Sequence, residues 1–146
     1  MLPERPGGRV ALIERNKIGG DCLNFGCVPS KALISSARLA RQMREAEKWG
    51  LRDHEPQFEF RDVMKRMRVR RAKIAPNDSQ ERFESLGVDV FRGEAKFVSP
   101  HEVDVYGQRL RARNFVIATR SRAAISNIEG LEAVPFFTNE TIFDEL

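Results

Sequence analysis

Two cysteines, Cys22 and Cys27, are the only thiols in the chain, and just four residues separate them within Gly19 to Lys31, GGDCLNFGCVPSK. Such a pair has three ordinary uses: two buried thiols, half of a metal site, or a disulfide that forms and breaks. A structural zinc site needs four ligands, usually two Cys pairs or a Cys pair with a His pair at short spacing. The two histidines, His54 and His101, are far apart and unpaired in sequence, so no metal centre is expected. Inert buried thiols belong in an apolar run, whereas these sit among Gly19, Gly20, Asp21, Asn24 and Gly26, ahead of Pro29. That composition describes a turn rather than a core.

Residues five apart in a regular α-helix are rotated by about 140° and raised by about 7.5 Å, which separates their Cα atoms by roughly 8.6 Å. A disulfide tolerates only about 7 Å. If Cys22 and Cys27 are bonded, the segment cannot be regular helix; Gly26 supplies flexibility and Pro29 a fixed φ at a distorted helix start. Lys31 and the positive end of the following helix would favour a thiolate, the reactive form of cysteine. Asp21 works against it, because an adjacent carboxylate disfavours a second negative charge.

The segment GGDCLNFGCVPSK closely resembles the redox-active stretch of the flavin-dependent pyridine nucleotide-disulfide oxidoreductases, the group of dihydrolipoamide dehydrogenase, glutathione reductase and mercuric reductase. The resemblance rests on thirteen residues with both cysteines, three glycines and the PSK ending. It implies that Cys22 is the interchange thiol that attacks the substrate and that Cys27 is the thiolate beside the flavin. Gly19 and Gly20 would lie against the FAD, and Lys31 near the flavin's reactive nitrogen. Electrons would pass from NAD(P)H through FAD to the Cys22–Cys27 pair and on to a disulfide or metal-ion substrate. The CVPSK ending is seen in mercuric-reductase-like members.

The elements that must position these residues follow from the remaining pattern. The chain has 146 residues, 41% apolar and 32% charged, enough for one soluble domain of moderate core. No stretch approaches the roughly 20 apolar residues of a membrane span, and the start MLPERPGGR lacks a signal peptide's apolar region, so no membrane association and a cytoplasmic location are expected. A net charge of +4 raises nucleic-acid binding. Its basic run, Lys65, Arg66, Arg68, Arg70, Arg71 and Lys73, has no interleaved aromatics and no groove-binding motif, so a solvated helix face is expected instead.

Met1 to Gly8 reads as a loop. Arg9 to Arg15, containing VALIE, fits a strand of a parallel Rossmann-type sheet with Glu14 at its carboxyl end. Taken alone, Glu14 is a surface acid that ends a strand; by resemblance it holds the adenosine ribose of FAD. Helices are expected from Pro29 to about Trp49, from Arg61 to about Ala75, and from a cap at Asp78-Ser79 to Leu86. Leu33, Ala37, Ala40 and Met43 form the inner stripe of the first, with Gly50 beyond its end and Trp49 packed. Met64 and Met67 fill the core of the second. Val88 to Phe91, Ala95 to Val98, Val103 to Tyr106 and Arg109 to Arg111 predict a meander, and Phe115 to Ala118 a further buried strand.

A second stretch, NFVIATRSRAAISNIEGL from Asn114 to Leu131, resembles the family's strand that ends in Ala-Thr-Gly-Ser near the FAD. Ala118, Thr119, Ser121, Gly130 and Leu131 match, and Ala118 and Thr119 would contact the cofactor. Arg120 stands where the family has Gly, a substitution expected to strain the backbone or impair flavin binding.

The resemblance implies an α/β fold: residues 1–146 as a partial, incomplete Rossmann-like FAD/NAD(P)-binding domain, with a helical excursion and an antiparallel β-meander. The first strand with its G-x-G-x-x-G loop and the nicotinamide and interface domains are expected to lie outside the chain, so the fragment alone is expected to be inactive. FAD, with NAD(P)H bound by a missing domain, a small-molecule or metal-ion substrate, and a homodimer at full length complete the expectation. The alternative is a truncated or degenerate non-catalytic domain acting as a fold or interaction module.

Overall fold

The computed structural model describes residues 8–146, so the loop expected over Met1 to Gly8 lies almost wholly outside the described residues. The chain forms two compact units: residues 8–20 with Pro76–Arg120, and Asp21–Ala75 with Ser121–Leu146. The helical excursion is therefore a unit of its own, entered after Gly20 and left after Ala75.

In the first unit, strand β1 (Ala11–Glu14) pairs in parallel with β2 (Asp89–Arg92), Ile13 opposite Phe91 and Glu14 opposite Arg92. Backbone hydrogen bonds from Asp89 to Val10 and from Gly93 to Glu14 extend the ladder at both ends. Parallel strands need a long crossover, and here residues 21–75 of the second unit lie in that connection. This corrects the expectation that Val88 to Phe91 opens the meander. A short apolar strand does not reveal its partner, and the longer-range pairing with VALIE prevails.

The meander itself is β3 (Ala95–Ser99), β4 (Glu102–Val105) and β5 (Gln108–Arg111), antiparallel throughout, with Val103 and Val105 buried beneath it. Val105 is paired with Gln108, which leaves a two-residue hairpin loop, Tyr106-Gly107, with both residues at positive φ (51° and 86°). Both central residues of a type I′ turn need this conformation, which matches the twist of the strands. The Asp104 side chain accepts a hydrogen bond from the Gly107 N–H at 3.0 Å and fixes the turn.

Phe115 to Ala118 forms no strand. Val116 is 91% exposed and Ile117 73% exposed, while half-buried Phe115 meets Phe97 edge to face at 5.0 Å between ring centroids. An apolar run becomes a strand only where a neighbour completes its hydrogen-bond ladder, and no described residue does so here.

In the second unit, α1 (Gly20–Asn24) gives way to α2 (Cys27–Arg44), followed by a 3-10 turn over Ala46–Trp49 that ends at left-handed Gly50. Helix α3 (Phe60–Ile74) packs against α2. Its Met64 and Met67 are fully buried and form a cluster with Phe143 of α5 (Ile142–Glu145), flanked by Ala32, Leu33 and Ile142. The two methionines are thus core filling. The inner stripe of α2 passes through Leu33, Ser36, Ala40 and Met43, and Ala37 faces water. Ser36 takes the inner position because Arg66 of α3 donates to its hydroxyl at 3.2 Å and to the Ala32 carbonyl at 2.9 Å. Trp49 is 73% exposed, since Ala46 is the residue of its turn that packs inward. At the end of α2, hydrogen bonding from Arg44 holds the exposed Glu55 carboxyl below its ordinary range and ties down the connection to α3.

Between α3 and the first unit's strands, a 3-10 turn containing Pro76 leads into α4 (Gln80–Ser85). Ser79 caps α4 by accepting from the Arg82 N–H at 3.2 Å, and Gly87 follows its end. Half of the basic run on α3 is structural: besides Arg66, Arg68 donates to the Leu146 carbonyl and Arg71 pairs with Asp144 at 2.5 Å, while Lys65, Arg70 and Lys73 are exposed. Among the described residues, no helix is long and apolar enough to cross a membrane.

Because Met67 lies at the centre of the second unit's core, Met67→Ala is expected to lower unfolding free energy by about 2–5 kcal/mol. Denaturant titration followed by helix signal measures it, and a midpoint equal to the parent's would show that the core lies elsewhere.

Candidate functional site

The two cysteines lie on either side of a break between helices. Cys22 is half-buried within α1; Cys27 is exposed at the first position of α2.

Gly26 makes the break. Its backbone has φ −131° and ψ −110°. A Cβ there would stand 2.9 Å from Asp21 Oδ2 and 3.2 Å from the Asp21 carbonyl oxygen. That carbonyl accepts the Phe25 N–H at 2.8 Å, closing the last turn of α1 over Gly26. The Ser30 N–H donates to the Gly26 carbonyl at 3.1 Å and starts the ladder of α2. Pro29 falls in the first turn, where its missing N–H leaves no helical bond unmade, and its ring is fully buried.

Buried Leu23 anchors the loop between the thiols from inside. From α3, the Arg71 guanidinium donates to the Asn24 carbonyl at 3.2 Å and to Asp144 at 2.5 Å. The side chain of Asn139 donates to Asp21 Oδ1 at 3.4 Å. Sequence reasoning missed Arg71 and Asn139 because their partners lie 47 and 118 residues away. No short-range pattern distinguishes Arg71 from the other cations of its run.

Chemically, the arrangement offers two thiols at a helix start, one exposed and one half-buried. Lys31, exposed, lies one helical turn beyond Cys27 on the same face of α2. Cys27 is the first residue of that 18-residue helix. Gly19 precedes α1 and Gly20 opens it, with φ of 87° and 58°. Among the described residues, no group of three or more His, Cys, Asp or Glu side chains is placed to hold a metal ion.

The other expected site residues belong to the first unit. Half-buried Glu14, at the carboxyl end of β1, accepts the Asn16 N–H through Oε1 at 2.7 Å. A carboxylate has about four lone-pair sites, so this bond leaves it able to accept from the hydroxyls of a ribose. Ala118 and Thr119 are exposed on the segment without a ladder. Arg120 has φ 55°, the left-handed conformation that glycine adopts without cost. The position fits the expected glycine, and the residue does not. His54 and His101 are both exposed and lie in neither constellation.

Comparison with known proteins places this geometry. Residues 3–145 match the family described as "Pyridine nucleotide-disulphide oxidoreductase". The chain is 34% identical over 145 residues to a mercuric reductase of Shewanella putrefaciens, covering 94% of the chain and 26% of that protein. It is 32% identical over 127 residues to a dihydrolipoyl dehydrogenase of Acholeplasma laidlawii, covering 86% of the chain and 38% of the relative. A mycothione reductase of Mycobacterium tuberculosis is 30% identical over 150 residues, covering 97% of the chain and 32% of its own length. The chain thus spans about a quarter to two fifths of the curated relatives it matches. In fold it resembles the HOCl-induced flavoprotein disulfide reductase RclA from Escherichia coli in its Cu(II) complex, with TM-score 0.73 and 22% identity over 94% of this chain and 28% of that one.

Because Gly26 permits the approach of Asp21, Gly26→Ala is expected to cost about 1–3 kcal/mol, the usual penalty for an added methyl group in tight packing. Thermal unfolding of the variant tests this; an unchanged melting temperature would mean that the break tolerates a side chain.

Proposed function

The chain belongs to the pyridine nucleotide-disulphide oxidoreductase family, and from that premise we propose that it carries the dithiol centre of an FAD-dependent oxidoreductase. The observation that supports this most is the helix break at Gly26, which separates two thiols that a continuous helix would hold too far apart to bond. The family's members use FAD and NAD(P)H. Turnover is proposed for the whole protein, with the residues described here supplying the thiol chemistry.

Cys22 is the interchange thiol. As the thiolate it attacks one sulfur of a disulfide substrate; a mixed disulfide forms, and the displaced substrate thiolate takes up a proton. Cys27, as the thiolate, then attacks Cys22 Sγ. The second substrate thiol leaves with a proton, and a Cys22–Cys27 disulfide remains. The substrate has gained two electrons and the pair has lost two. FAD, when bound, supplies the two electrons from NAD(P)H that return the pair to thiols.

Glu14 would hold the adenosine ribose, Lys31 would supply a charge toward the flavin, and Gly19, Gly20, Ala118 and Thr119 would offer backbone to the cofactor. The substrate class is a small disulfide or a metal ion, in keeping with relatives named mercuric, mycothione and dihydrolipoyl enzymes. A homodimer and a reducing compartment such as the cytoplasm complete the proposal.

One observation favours a second reading, a degenerate domain that keeps the fold without catalysis. Arg120 occupies a left-handed backbone position beside Thr119, at a cost of about 1–2 kcal/mol for a residue with a Cβ.

Both readings are tested on the whole protein that carries this segment. The oxidoreductase reading predicts bound flavin and NAD(P)H-dependent disulfide or metal-ion reduction, lost in Cys22→Ser and Cys27→Ser while flavin stays bound. Arg120→Gly is expected to raise flavin occupancy. A colourless parent protein that Arg120→Gly does not restore, or activity that survives loss of either cysteine, would overturn it.

A further inference from the structure

The loop between the two thiols is held from a distance by one side chain, and the consequence extends beyond the cysteines themselves. Arg71 lies on α3, and its side chain is only 20% exposed. One guanidinium arm donates to the Asn24 carbonyl at 3.2 Å, and the other donates to Asp144 Oδ1 of α5 at 2.5 Å. Asn24 is the last residue of α1, two positions after Cys22 and two before Gly26. The carbonyls of a final helical turn take their partners from outside the helix, and the Arg71 guanidinium is one such partner of Asn24. Asp144 fixes the direction of the guanidinium plane, because a fork of donors that satisfies a carboxylate with one arm has little freedom left for the other.

Helix α5 is itself secured to the core. Phe143, beside Asp144, is buried against Met64 and Met67, and Arg68, one turn before Arg71 on α3, donates to the Leu146 carbonyl. The path from core to thiol loop is therefore continuous: α3 and α5 hold each other, Asp144 orients Arg71, and Arg71 holds the Asn24 peptide.

We infer that Arg71 is a positioning residue for the dithiol loop, and that Asp144 of α5 sets the difference in exposure and reactivity between Cys22 and Cys27 through it. This deepens the proposed redox role and rests on it for its functional meaning, but the geometry can be tested without any oxidation step. Arg71 acts through the peptide between the thiols and touches no substrate.

The test measures the separate alkylation rates of Cys22 and Cys27 by iodoacetamide in the fully reduced 146-residue chain, resolved by mass spectrometry of the two cysteines. In Arg71→Met and in Asp144→Ala, the ratio of the two rates is expected to change about threefold or more, the scale of one lost hydrogen bond. The two changes should share a direction, and the double variant should not exceed the larger single one, as coupled partners require. Arg71→Lys keeps the charge without the fork and is expected to behave like Arg71→Met. Arg70→Met removes the same charge from an exposed neighbour and should leave the ratio unchanged. Should Arg71→Met lose its helix signal, Asp144→Ala decides alone. An unchanged ratio in Asp144→Ala, or full rescue by Arg71→Lys, overturns the inference. The measurement uses reduced thiols, so a pair that never forms a disulfide would refute the redox reading and leave this test intact.

Discussion

At Gly26 an added Cβ would press on Asp21, 2.9 Å from its carboxylate oxygen and 3.2 Å from its carbonyl oxygen, and the two cysteines lie on either side of this tight contact. A helix continuing through it would separate Cys22 and Cys27 beyond the reach of a bond and would bury or expose them by helical phase alone. The break lets α1 end on Asn24 and α2 restart on Cys27, so one thiol is half-buried and the other is exposed at a helix start. Pro29 tolerates the restart because the first turn needs no donor from it, and its buried ring anchors the new helix to the unit's interior.

The local chemistry of this arrangement was legible in sequence. Glycine between the cysteines and proline just after them suit a distorted helix start if the thiols are bonded; the long helix starts at Cys27, two residues before Pro29, behind a short helix over Gly20–Asn24 that the pattern does not announce. Helix ends were also readable where a cap marks them, as at Ser79 and Gly50. What could not be read was partnership across distance. The strand at Asp89–Arg92 looks like the first member of a meander until VALIE is found beside it in parallel. Ser36 appears polar and outward until Arg66 reaches its hydroxyl. Arg71 is one cation among six in its run until Asn24 and Asp144 are seen at its two arms.

Arg120 shows the opposite case, in which resemblance predicted a backbone state from a residue that should not adopt it. A position that glycine fills in the family has φ 55° here despite carrying a long side chain. The backbone has kept the conformation, and the strain falls on the residue. The apolar segment just before it, Val116 and Ile117, is exposed and outside any ladder. Sequence hydrophobicity marks a segment suited to burial; it does not supply the neighbour that completes the sheet.

The central claim is that Cys22 and Cys27 form one redox unit, and equilibrating the chain with glutathione buffers of graded potential tests it most directly. Peptide mass mapping after quenching should show an intramolecular Cys22–Cys27 disulfide, lighter by two hydrogen atoms, which appears in one cooperative two-electron step and disappears on reduction. Two separate glutathione adducts, or thiols that persist under the most oxidising buffer, would contradict the account.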